Sequence, residues 1–152
     1  MPKLQPVLLV EDNPYEIELT LTAFAESKLA NRVEVVHDGV EALEWLNRLG
    51  AFSGRNSGNP AVVILDNKMP RMDGLEVLQA IRADPALCMI PVVMLTSSRQ
   101  EQDLLRGYSL GTDAYVVKPV KYADFVAAIQ NLGVFWAILN EAPPADRHAN
   151  PI

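Results

Sequence analysis

AVVILDNKMPRMDG, residues 61–74, runs from five unbroken apolar side chains into an aspartate and then into a cluster of turn formers. Apolar residues at every position, rather than at every second one, predict a strand over Ala61–Leu65 that is buried on both faces. Asp66 stands where that strand ends. Asn67, Pro70, Asp73 and Gly74 favour a turn, so Asp66 by itself reads equally well as a strand-end turn residue.

The same grammar repeats on either side. Val7–Val10, Val33–Val36, Pro91–Thr96 and Ala114–Val117 are short β-rich apolar runs. Between them Ile17, Leu21 and Phe24 share a helical face, as do Val40, Leu43 and Leu46, then Leu75, Leu78 and Ile81, then Leu104 and Tyr108. Alternating strands and helices predict βαβ crossovers and an α/β fold, a doubly wound five-stranded parallel sheet with helices on both sides. Ligands in that class bind at the carboxyl ends of the strands. Gly50–Pro60 is dense in Gly, Ser, Asn and Pro and predicts a surface loop. From Tyr122 a last helix carries Phe125, Ile129, Leu132, Trp136 and Leu139 at spacings of four, three, four and three, a stripe longer than one sheet covers. After Leu139 the chain is polar and proline-rich.

At 152 residues and 49% hydrophobic content the chain suits one domain with a real core. Net charge is −6 and the basic residues are scattered singly, which argues against a nucleic-acid partner. No apolar run has signal-peptide or membrane-span length, so a cytoplasmic protein with no membrane association is expected. Cys88 is the only cysteine; an internal disulfide is impossible, and its apolar neighbours predict a buried side chain.

The unusual polar residues all fall where predicted strands end: Glu11 and Asp12, Asp66, Thr96 and Lys118. Three carboxylates converging on one point repel one another unless a hard cation sits among them, and Mg²⁺ suits such an all-oxygen site. One carboxylate can then act as a nucleophile toward phosphorus, with Lys118 and the Thr96 hydroxyl on the phosphoryl oxygens, giving an acyl phosphate. Asp12, Asn13 and Pro14 read as well as a helix start, since Asp and Asn cap free N–H groups and Pro fits the first turn.

Taken together and in order, VEDN, ILDNKMPRMDG, VVMLTSS and DAYVVKP resemble the receiver domain of two-component response regulators, over about Val7 to Leu132. The resemblance implies the flavodoxin-like receiver fold, with Glu11 and Asp12 as the acidic Mg²⁺ pair and Asp66 as phospho-acceptor. It further implies the Lys68 carbonyl as a metal ligand, Thr96 and Lys118 at the phosphoryl group, and Tyr115 as the aromatic that swings when Thr96 engages phosphate. Asn67 and Lys68 depart from the apolar and neutral residues usual after the acceptor, which bears on the lifetime of the phosphoryl group. GVFWAILNEAPP is similar to the Phe-Trp extension of response regulators paired with bacterial and cyanobacterial phytochromes, which usually lack an output domain.

The implied function is a single-domain response regulator that takes a phosphoryl group from a sensor histidine kinase, a bacteriophytochrome on the narrower resemblance. It would be a switch with slow autodephosphorylation rather than an enzyme. The expected organisation is a receiver at 7–132, a C-terminal helical extension at 133–141 that dimerises, and a flexible tail at 142–152. The homodimer would use Phe125, Ile129, Leu132, Phe135, Trp136 and Leu139. Two alternatives remain: a phospho-independent interaction module, and a small aspartyl-phosphate phosphatase. The latter usually carries a second acid two residues after its nucleophile, where this chain has Lys68.

Overall fold

The computed structural model describes residues 5–26, 31–112, 114–118 and 123–124. Apart from helical Ala123 and Asp124, the expected last helix with its apolar stripe, the extension and the tail lie outside the described residues. The elements in chain order are β1 (Val7–Val10), α1 (Pro14–Glu26), β2 (Val33–Val36), α2 (Gly39–Asn47), a 3-10 turn at Gly50–Phe52, β3 (Val62–Asp66), α3 (Gly74–Ala83), β4 (Val92–Thr96), α4 (Arg99–Arg106) and β5 (Ala114–Val117). All strand pairs are parallel, in the order β2-β1-β3-β4-β5. This is the expected doubly wound, flavodoxin-like sheet, and its strand order reverses between β1 and β3.

Every residue of β1, β3 and β4 is buried, which is why these strands read as unbroken apolar runs. Their side chains alternate between two cores. Leu8, Val10, Val63, Leu65, Val92 and Met94 pack with Trp45 and Leu46 of α2, Val77, Leu78 and Ile81 of α3, and Leu105 of α4. Val7, Leu9, Val62, Ile64, Val93 and Leu95 face the other way, against Phe24 and Ile17 of α1. Fully burying a side chain of this size is worth roughly 1.5–3 kcal/mol, so the two cores hold the strand ends rigidly.

Several expectations shift. β3 and β4 each begin one residue late, at Val62 and Val92, and Asp66 is the last residue of β3 rather than the first after it. In α2 the buried set is Gly39, Ala42, Trp45 and Leu46, with Val40 and Leu43 only half-buried. The expected inward pair of the fourth helix is outward: Leu104 of α4 is 72% exposed, and Tyr108, which lies in the turn past the helix end, is 53% exposed. Gln102 and Leu105 are buried instead, because in the polar helix RQEQDLLR only one of two adjacent leucines can face the sheet. Cys88 is half-buried, not buried: Leu87 and Ile90 fill the core there, and the thiol turns toward the Pro85 carbonyl at 3.7 Å.

The 50–60 loop is stitched to α2. The Arg55 guanidinium lies 3.8 Å over the Trp45 ring and donates to the carbonyls of Trp45 at 2.9 Å and Leu46 at 3.3 Å. Carbonyls of a helix's last turn lack the partner four residues on, and here Arg55 adds a donor to the Arg48 N–H that already reaches the Trp45 carbonyl at 3.4 Å.

Candidate functional site at the strand ends

Each helix facing the site starts with its own cap. Asn13 Oδ1 accepts from Tyr15 N–H at 2.9 Å and Glu16 N–H at 3.2 Å, so Asn13 rather than Asp12 caps α1, and Pro14 occupies the first turn. Asp12 is left exposed and unused by the helix. Asp73 and Glu76 form a reciprocal capping box on α3. Gly74 lets that helix start close to the turn after Asp66: a Cβ there would lie 2.6 Å from the Asp66 carbonyl oxygen and 2.7 Å from Asn67 Cα.

The backbone holds the strand ends level. Glu11 N–H donates to the Val36 carbonyl at 3.0 Å, Asn67 N–H to Leu95 at 3.0 Å, and Lys118 N–H to Thr96 at 2.7 Å. The register that pairs Asp66 with Leu95 and Thr96 with Val117 brings Asp66, Thr96 and Lys118 to one edge. Beside them, carboxylate oxygens of Glu11, Asp12 and Asp66 lie within 4.8 Å of one another. Lys118 Nζ reaches Asp66 Oδ1 at 2.9 Å, Glu11 Oε1 at 3.1 Å and Glu16 Oε1 at 3.5 Å. Glu16, in the first turn of α1, was not foreseen as part of this cluster; its approach depends on how α1 packs.

Electrostatics follow from that crowding. Burial and the neighbouring Asp66 charge push the Glu11 carboxyl up to about 7 despite Lys118. Burial also raises the Asp66 carboxyl, against the pull of Lys118. Burial works against the Lys118 ammonium, but its bonds to Asp66 and the charge of Glu11 outweigh it and raise its pKa. One ammonium therefore contacts three carboxylates, and Asp12 lies beside two of them. Such a cluster of carboxylate oxygens, with Glu11 and Asp66 buried and Asp12 exposed, is an environment that a divalent cation fits.

Thr96 is 1% exposed, and its Oγ1 has no hydrogen-bond partner among the described residues. A buried orphan hydroxyl costs stability, so one at the mouth of a polar site suggests a ligand. Tyr115 is half-buried against the α3/α4 core, with the Arg106 guanidinium 4.6 Å over its ring. Lys68 is exposed in the turn after Asp66. Arg71 closes the same turn onto α2, with two bonds of 2.8 and 3.0 Å to Asp38, the cap of that helix. Among the described residues no helix is long and apolar enough to cross a membrane.

A parallel sheet of this order, with an acidic triad, a lysine and a buried hydroxyl at its strand ends, is the arrangement of a signalling receiver domain. Residues 7–130 match the response regulator receiver domain, and the chain belongs to that family, whose members work with histidine kinases. Among solved structures it is similar to the bacteriophytochrome response regulator RtBRR, at 56% identity over 97% of this chain and 88% of that one, with a TM-score of 0.85. It is also similar to the bacteriophytochrome response regulator AtBRR, at 60% identity over 92% and 100%, with a TM-score of 0.83. Response regulator Rcp1 of Synechocystis sp. is 33% identical over 86% of this chain and 87% of its own length. The Mn²⁺-bound form of Rcp1 superposes with a TM-score of 0.74 at 31% identity, covering 93% and 99%.

Proposed function

We propose that Asp66 is the phospho-acceptor of a two-component relay, charged by a bacteriophytochrome histidine kinase. The observation that carries the reading is the setting of Asp66: buried at the end of β3, 2.9 Å from Lys118 and within reach of the Glu11 and Asp12 carboxylates. The pairing with a phytochrome kinase is supported by the identity to RtBRR and AtBRR and by the Phe135-Trp136 pair.

In the transfer, an Asp66 Oδ attacks the phosphorus of the kinase phosphohistidine. The P–N bond breaks, its electron pair returns to the imidazole, and an acyl phosphate forms. Lys118 balances the charge on Asp66 before transfer and on the phosphoryl oxygens after it. The Thr96 hydroxyl, without a partner among the described residues, donates to a phosphoryl oxygen, and Tyr115 moves into the space it leaves. Arg106 then loses its ring partner, which extends the change to the end of α4. Glu11, Asp12, Asp66 and the Lys68 carbonyl would hold Mg²⁺, which when bound offsets the negative charge of the acidic cluster and the phosphoryl oxygens. Water later attacks phosphorus and releases inorganic phosphate, restoring the Asp66 carboxylate.

The receiver at 7–132 would pass the change to a homodimer formed by residues 133–141 together with Phe125, Ile129 and Leu132. Trp136→Ala is expected to lower the mass measured by light scattering while phosphorylation persists; an unchanged dimer would remove the extension from the interface. The kinase assignment is tested by phosphotransfer from an autophosphorylated bacteriophytochrome kinase to the wild type and to Asp66→Asn. Label is expected on the wild type only. Label on both would place the acceptor elsewhere, and label on neither would contradict the pairing.

A further inference from the structure

One carboxylate ties the turn after β3 to the turn after β4. Glu101, in the first turn of α4, accepts through Oε1 from the Ser97 N–H at 2.8 Å and from the Ser97 hydroxyl. Through Oε2 it accepts from Asn67 Nδ2. Asn67 Oδ1 is held by the Leu75 N–H at 3.1 Å, which fixes the amide with its NH₂ toward Glu101. Helix α4 does not need this side chain in order to start, because Ser98 Oγ already caps the Glu101 N–H at 3.1 Å. Burial opposes the Glu101 charge, but the Ser97 and Asn67 donors and the nearby Lys68 outweigh it and hold its carboxyl below the ordinary range.

The two residues so joined are the neighbours of Asp66 and Thr96. The bridge therefore spans Asp66 and the Thr96 hydroxyl, which lacks a partner among the described residues. It commits three donors next to the site to an anion belonging to the protein itself.

We propose that Glu101 is an internal anion that competes with the phosphoryl group for the donors of the β4–α4 turn, and so restrains the switch while Asp66 is bare. The inference rests on Asp66 being the acceptor. A phosphoryl group brings about −1.5 to −2 of charge to the same turns. Glu101 repels that group and holds the Ser97 donors away from it. Phosphorylation must loosen this bridge, and Glu101 is a positioning residue acting through Ser97 and Asn67.

The test compares wild type, Glu101→Ala and Glu101→Gln with acetyl phosphate and Mg²⁺, reading the initial rate of adduct formation by intact mass alongside the thermal midpoint. Glu101→Ala is expected to be modified roughly three- to tenfold faster, the size of losing charge-assisted bonds at a half-buried site. Glu101→Gln keeps an oxygen for Ser97, loses the charge and turns an amide toward Asn67, so it is expected to fall between. A faster rate with an equal or lower midpoint is not what simple loss of local order produces. An unchanged or slower rate in Glu101→Ala, with the wild type still modified at Asp66, would overturn the role of Glu101 alone. A wild type that takes no phosphoryl group would overturn the acceptor reading and this inference with it.

Discussion

Replacing Glu11 by glutamine is expected to stabilise the metal-free protein at alkaline pH. Glu11 is 1% exposed, and its carboxyl is pushed from 4.5 up to about 7. Between those values the folded state holds a proton that the unfolded state has released, so stability falls as pH rises through that window. A shift of that size corresponds to about 3 kcal/mol once the pH is well above 7. It is a ceiling, because Glu11 and Asp66 titrate as a pair and because Lys118 loses one of its anionic partners in the variant. For a chain of this length the gain corresponds to a rise in midpoint of up to about 6–12 °C. The assay is thermal unfolding of wild type and Glu11→Gln in chelator at pH 5 and pH 8. The advantage of the variant should appear at pH 8 and largely vanish at pH 5, where the wild-type carboxyl is protonated when folded. Saturating Mg²⁺ at pH 8 should stabilise the wild type more than the variant. A variant less stable than wild type at pH 8, or one with the same gain at both pH values, would refute the electrostatic reasoning.

Gly74→Ala is expected to destabilise by about 1–3 kcal/mol, since the new methyl meets the Asp66 carbonyl and Asn67 Cα, both backbone atoms with little room to yield. Its midpoint should fall and its acceptor turn should react more slowly with acetyl phosphate. Burial alone would raise the Asp38 carboxyl, but its bonds to Arg71 and to the Glu41 N–H hold it below the ordinary range. The stability this contributes is present above the ordinary carboxylate pKa and is lost as pH falls through the depressed one. In Arg71→Ala the Asp38 resonance, followed by NMR titration, should move up toward the ordinary value.

Much of this architecture is legible in the chain because its physical causes are local. Unbroken apolar runs at Val7–Val10 and through Ile64 and Leu65 follow from strands buried on both faces. The acid, hydroxyl and lysine at successive strand ends lead to a single site once the sheet is known to be parallel. The parts that escape depend on packing. Leu104 and Leu105 are adjacent in a polar helix, and nothing in their spacing says which faces the sheet. Glu16 joins Lys118 only because the first turn of α1 lies over the site. Asn67 and Glu101 are far apart in sequence, and their contact follows from β3 and β4 being neighbours with their turns side by side. Arg55 looks like an ordinary loop residue until α2 presents its last carbonyls to it.

On the proposed function, Asp66 accepts a phosphoryl group within an acidic site that needs a divalent cation. The most direct test is intact mass after incubation with acetyl phosphate and Mg²⁺, for wild type and Asp66→Asn, with and without chelator. One phosphoryl adduct is expected on the wild type, absent from Asp66→Asn and absent when the metal is removed. An adduct that persists in Asp66→Asn, or one that forms equally well in chelator, would contradict that function.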